Sequence, residues 1–172
     1  MTFIFSDLDP TTREHMLNEF TDDLHGTGLY ISPRLSAAGI ARYPAALEAA
    51  IVGGDADSLG PDLATVGTFN AMESYSKGVR KVRSDAPQML AEGEFNRYYV
   101  RGLCARVLAE GGGEVEVYRG RESGFHRPGS DALIGQRLDA RALLEDLRAN
   151  ALTPENISVL PDVNSGITVK AA

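Results

Sequence analysis

One stretch constrains the fold of this chain more than any other: residues 87–110. Its apolar side chains are Met89, Leu90, Phe95, Tyr98, Tyr99, Leu103, Val107 and Leu108. Phe95, Tyr99, Leu103 and Val107 follow one another at i, i+4 steps and define one face of a helix. Asp85 and Pro87 mark its start, and Gly111-Gly112-Gly113 mark its stop. A helix of this length crosses a small domain from side to side, so the rest of the chain has to be arranged around it. Arg97 and Arg101 lie one turn apart on this helix, and by composition they belong on its solvent side as candidate neighbour contacts.

Other elements read from their end signals. Asp9-Pro10 caps a first helix through Met16, Leu17, Phe20 and Leu24, stopped by Gly26 and Gly28. Ser32-Pro33 opens a second helical stretch. Pro44 predicts a break at Tyr43, because proline disfavours helical geometry in the residue before it. The helix is expected to resume through Leu47 and Ile51 to Gly53-Gly54, with Asp55 capping one short turn and residues 62–66 forming another. Residues 114–119 (Glu-Val-Glu-Val-Tyr-Arg) alternate as a half-buried strand does. A short helix is expected from Ser130-Asp131, and Asp139 caps a helix that turns Leu143, Leu144 and Leu147 inward. Ile167-Thr168-Val169 suits a last strand.

These elements predict an α+β class: a mostly helical single domain with one long central helix, a few short strands, a long basic loop and an extended C-terminal tail. The globular domain covers residues 1–150, with residues 67–86 as the loop or arm, and the tail covers 151–172. The length of 172 residues suits one core, and 43% hydrophobic with 24% charged residues is ordinary for a folded chain. No stretch reaches the ~20 apolar residues of a membrane span, and the N-terminus lacks the basic region of a signal peptide. A cytoplasmic origin is expected, with no membrane partner.

The net charge of −7 sets the chain against nucleic acid on average. Two basic clusters run against that average: Lys77, Arg80, Lys81 and Arg83, and then Arg119, Arg121, His126 and Arg127. If they meet in space they form a positive patch for an acidic neighbour subunit or, less compatibly with the overall charge, for nucleic acid. If they do not, they are solvated segments.

Catalytic motifs are sparse. Phe3-Ile4-Phe5 followed by Asp7-x-Asp9-x-Thr11 resembles the signature of haloacid-dehalogenase-type phosphatases, where the first Asp attacks phosphorus, the second is acid and base, and Mg²⁺ neutralises charge. That chemistry needs carboxylates at the ends of parallel strands, and the strand–helix alternation to supply them is not visible after Asp9. Asp9 is equally well explained as a helix cap. His15, His25 and His126 fit no zinc spacing, Cys104 in the long helix suits a buried structural thiol, and no glycine loop precedes a helix as a phosphate cradle would. No cofactor is expected.

A wider pattern covers most of the chain from residue 29 on. It comprises Leu29-Tyr30-Ile31-Ser32-Pro33-Arg34-Leu35, residues 92–104, Val117-Tyr118-Arg119, residues 127–135, residues 143–148 and Asn164-Ser165-Gly166. Together these resemble small proteins encoded in the structural gene modules of tailed bacteriophages, near the major capsid protein. The resemblance implies a place and no chemistry: a non-enzymatic virion protein, made in the host cytoplasm and bound to the capsid shell as decoration or set at the head–tail neck. Its implied partners are the major capsid protein, other virion subunits or further copies of itself. The alternatives are the Mg²⁺-dependent phosphatase on Asp7 and Asp9, and an accessory protein contacting nucleic acid through the basic clusters.

Overall fold

The helix that the sequence places at the centre is Ala86–Ala109, α4 in chain order, in a computed structural model that describes residues 3–122, 128–160 and 166–172. Before it come α1 (Pro10–His25), α2 (Ala37–Gly53), α3 (Ala56–Leu63) and the short strands β1 (Met72–Tyr75) and β2 (Gly78–Lys81). After it come β3 (Glu114–Arg119), α5 (Pro128–Asp131), β4 (Arg137–Asp139), α6 (Ala140–Ala149), a 3-10 turn at Pro154–Asn156 and β5 (Ile167–Ala171). The fold is a mostly helical α+β domain.

Helix α4 packs against α1, α3, α6 and the sheet strand β5. Every position from 90 to 104 is buried, charged residues included. The sequence reading of one apolar face holds for Phe95, Tyr99 and Leu103, all fully buried. It misses that the opposite face is buried too. Arg97 and Arg101, expected on the solvent side, are 6% and 4% exposed. The correction has a simple cause: helix periodicity identifies the apolar stripe, but a second layer of helices that brings its own carboxylates can cover a polar stripe as well.

Helix starts follow the cap signals at Asp9, Asp55 and Asp139, but the second helix opens at Ser36 and not at Ser32-Pro33, where the Ser32 carbonyl accepts from the Leu35 amide in a turn. Asp9 Oδ1 accepts from the Thr12 amide at 2.9 Å, Ser36 Oγ from Gly39 at 3.0 Å, and Asp139 from Ala142 at 2.7 Å. Asp55 and Ser58 form a reciprocal capping box on α3. Asp85 is different: it precedes α4 but makes no cap bond, and its carboxylate pairs with Arg83 instead. Pro44 does not break α2, which runs unbroken to Gly53. Tyr43, Leu47 and Ile51 are all fully buried, and keeping that row on one face outweighs the roughly 3 kcal/mol that an internal proline costs. The Arg13 side chain donates to the carbonyls of Ala50, Ile51 and Gly54 and so closes the far end of α2.

Two antiparallel sheets are present among the described residues. β3 is the centre of the larger, with β4 on one side and β5 on the other. Val115 and Val117 point inward from β3, facing Ala171 and Val169 across the pair with β5. The C-terminal segment is therefore extended at its end and pinned: Asn96 of α4 donates to the Ile167 carbonyl at 3.0 Å, while Ile157 and Leu160 are buried in the core. The second sheet is the hairpin β1–β2, inside the segment read as a long loop or arm. It is an arm with regular structure. Met72 pairs with Lys81 and Tyr75 with Gly78, whose φ of 131° suits the glycine at the turn. The strand signal is weak in sequence because both faces are exposed and no apolar alternation is needed.

α1 and α4 come close together at Gly102. A Cβ there would lie 2.7 Å from the Met16 backbone nitrogen and 3.0 Å from its Cα. Gly102→Ala is expected to force the two helices apart and destabilise the protein by about 1–3 kcal/mol. Gly113→Ala, which meets open space, serves as the control in urea denaturation.

Candidate functional site

The polar chemistry of this chain concentrates in the core. From α4, Arg101 reaches across to α1, where it donates to both oxygens of Asp23 at 2.5 and 3.0 Å and to Glu19 at 3.0 Å. Tyr98 adds its hydroxyl to Asp23 at 2.9 Å. Arg148 of α6 closes on the other side of Glu19 at 2.5 and 3.0 Å. A second pair, Arg97 and Glu94, lies on α4 itself at 2.5 Å, and Arg97 also donates to the Ala151 carbonyl. Burial pushes the Glu94 carboxyl above its ordinary range, and Arg97 opposes that rise. Each of these buried arginines thus meets an acid within the protein, and the acids meet one another's arginines. The cluster joins α1, α4 and α6; Glu19, Asp23, Glu94, Arg97 and Arg101 are buried in it, and Arg148 closes it from the surface with half of its side chain exposed.

Asp7 and Asp9 are both committed to structure. Asp7 Oδ2 accepts from the Ala171 amide at 2.9 Å and so fastens the start of the chain to the end of β5. Asp9 caps α1 and pairs with Arg106 at 2.6 Å. The Thr12 amide, with Arg106 beside it, holds the Asp9 carboxyl below its ordinary range. Strand pairing in the described sheets is antiparallel, whereas the phosphatase signature needs parallel strand ends. Cys104 is fully buried, and burial pushes its thiol up to about 12. Among the described residues no group of three or more His, Cys, Asp or Glu side chains is placed to hold a metal ion. His126, like Arg127, lies outside the described residues.

The two basic clusters stand on different sheets, each with its own acidic partners. On the hairpin, Arg80 and Arg34 share Glu73 at 2.8 and 2.5 Å, and Arg83 binds Asp85 at 2.5 Å. Near β3, Arg119 pairs with Asp131, and Arg121 lies 3.1 Å from Glu92. Lys77 and Lys81 enter none of these ion pairs; both are exposed. The positive patch read from sequence therefore reduces, among the described residues, to the lysines of the hairpin. Sequence reasoning could not foresee the pairing, because Glu73, Glu92 and Asp131 carry no mark that separates them from solvated acids.

The hairpin is the other feature that stands out. Glu73, Tyr75 and Arg80 share one side of it, and the Arg80 guanidinium covers the Tyr75 ring at 4.8 Å. The other side carries Met72, Ser74, Val79 and Lys81, with Met72 48% and Val79 63% exposed. No family model, no curated protein and no solved structure matches this chain.

Asp9 gives the clearest pH-dependent contribution. Its folded carboxyl is held low, so the stabilisation is fully present above the ordinary carboxylate pKa of about 4 and is lost as pH falls through the folded value. Asp9→Ala is expected to cost about 1 kcal/mol at pH 7. The difference from the unchanged protein should shrink as urea titrations are taken to acid pH.

Proposed function

We propose that this chain is a non-enzymatic structural subunit of a tailed-phage particle. It is made in the host cytoplasm, sits on the capsid shell or at the head–tail neck, and works by contacts with the major capsid protein or other virion subunits. The observation that carries this reading is the hairpin. A two-stranded hairpin is marginal in water by itself, yet this one leaves Met72 and Val79 uncovered and holds two unpaired lysines on an acidic protein. Such an arm gains its full burial only against a neighbour. The sequence resemblance to head-module proteins supplies the setting. The buried arginine–carboxylate cluster suits a rigid part: its charged groups are spent on joining helices.

Mass spectrometry of purified particles and of proheads, from the phage that encodes this chain, tests the reading. The protein is expected in both or in one of them, at a fixed ratio to the major capsid protein. Absence from both contradicts it.

A further inference from the structure

The two long sides of the hairpin β1–β2 are not equivalent. Its register fixes where the backbone groups point. The Val82 amide donates to the Ala71 carbonyl at 3.0 Å. Ala71–Val82, Glu73–Arg80 and Tyr75–Gly78 are therefore the hydrogen-bonded pairs of the ladder, and Met72–Lys81 and Ser74–Val79 alternate with them. Residues of this second kind turn their N–H and C=O groups away from the ladder. On the β1 side the outward direction is already taken up where the strand begins. The Asn70 amide, next to Ala71 and opposed to it in direction, donates to the Arg34 carbonyl at 2.9 Å, and Leu35 bridges Phe69. On the β2 side every residue of the strand is exposed, and no described hydrogen bond reaches the outward backbone groups of Val79 and Lys81.

An open strand edge accepts another extended chain through main-chain hydrogen bonds, and the side chains along it select which chain. Here Val79 and Lys81 share one face with Met72, Arg80 lies on the other, and Lys77 stands at the turn. Both lysines are exposed and enter none of the described ion pairs. Arg80 and Arg83, whose guanidinium groups could fork a phosphate, are already held by Glu73 and Asp85. A second copy of β2 would set the same cations beside one another, which is unfavourable between neighbouring strands. A nucleic acid brings a continuous run of phosphates to a chain of net charge −7 and offers the open N–H and C=O groups no matching ladder. An extended acidic segment of a protein satisfies the backbone edge, the exposed valine and the lysines together.

We infer that the edge of β2 is a docking site for an extended acidic segment of a partner protein, which adds to the hairpin as a further strand. On the face of Val79 and Lys81 that segment carries an apolar residue opposite Val79 and a carboxylate opposite Lys81, at alternate positions of its strand. A second carboxylate, on the other side of the apolar residue, serves Lys77 at the turn. Opposite charges speed encounter and fix the direction in which the segment runs. The inference rests on reading the hairpin as a contact arm, names the chemistry of what it contacts, and does not require the particle.

A synthetic peptide in which threonines alternate with glutamate, valine and glutamate presents that face, and its titration into the full purified chain, followed by amide hydrogen exchange in NMR spectra, tests the inference. The Val79 and Lys81 amides are expected to exchange freely in the free chain and to gain protection with the peptide, while the Val82 amide, already in the ladder, is protected throughout. Binding should weaken with added salt, and Lys81→Glu should raise the Kd of the peptide by at least about fivefold. Lys81 is solvent-exposed, so circular dichroism and thermal unfolding should be unchanged in that variant. No protection at Val79 and Lys81 overturns the inference, and so does equal binding of a peptide with lysines in place of the glutamates. Protection conferred by a single-stranded oligonucleotide and not by the peptide overturns it in favour of nucleic acid. A chain that ignores the peptide but is found in particles loses the acidic-strand partner alone; one that binds the peptide but is absent from particles loses the virion reading alone.

Discussion

The structure depends on one buried contact, the fork of Arg101 between Asp23 and Glu19. Removing ions from water costs several kcal/mol each, so such a cluster holds only if its members are paired and hydrogen-bonded. Arg101 has both oxygens of Asp23, an oxygen of Glu19, and the Tyr98 ring at its side. The fork lies one residue before Gly102, where the backbones of α1 and α4 come together at Met16 with no room for a methyl group. Close approach and charge pairing therefore fix the same helix pair. Arg148 extends the contact to α6 through Glu19, so three helices share one set of charges. An apolar interface would tolerate rotation and sliding of these helices far better than this one does.

Surface features follow from that frame. With α4 held rigidly, the chain before it is free to project the hairpin, and the chain after it returns as β3 and β5 to close the far side of the core. The first and last described segments are tied to the same place: the Asp7 carboxylate holds Ala171, the Ser6 amide donates to the Tyr118 hydroxyl, and that hydroxyl donates to the Ile4 carbonyl. The polar groups that looked most like chemistry in the sequence, Asp7 and Asp9, are fasteners. On the arm, Lys77 and Lys81 enter none of the described ion pairs.

Much of this was legible in the residues. Cap signals at Asp9, Asp55 and Asp139 locate helix starts because a side-chain oxygen three residues before an orphan amide is a local interaction that needs no tertiary information; the same signal at Ser32-Pro33 marks a turn four residues before the cap that α2 uses, Ser36. The alternation of residues 114–119 and the Ile-Thr-Val near the C-terminus name two strands for the same reason. What failed was non-local. Pro44 reads as a break because its cost is local, while the burial of Tyr43 and Ile51 that offsets it is not. Arg101 reads as surface because nothing in its neighbourhood announces Glu19 and Asp23, 82 and 78 residues away in sequence. Arg97 has its acid, Glu94, three residues away, but such a pair reads as exposed, and the burial over it is non-local. The hairpin reads as loop because both its faces are exposed. For the candidate site, the lysines were visible in the sequence, and the pairing that removes the arginines from the patch was not.

A double-mutant cycle on Asp23 and Arg101 tests the central claim most directly. If the fork organises the fold, Arg101→Met alone leaves a buried carboxylate without its partner and is costly, while Asp23→Leu combined with Arg101→Met recovers part of that loss, because Glu19 keeps Arg148. The expected coupling energy from urea denaturation is about 2 kcal/mol or more. Additive effects, with coupling within about 0.5 kcal/mol of zero as for an exposed ion pair, would contradict the account.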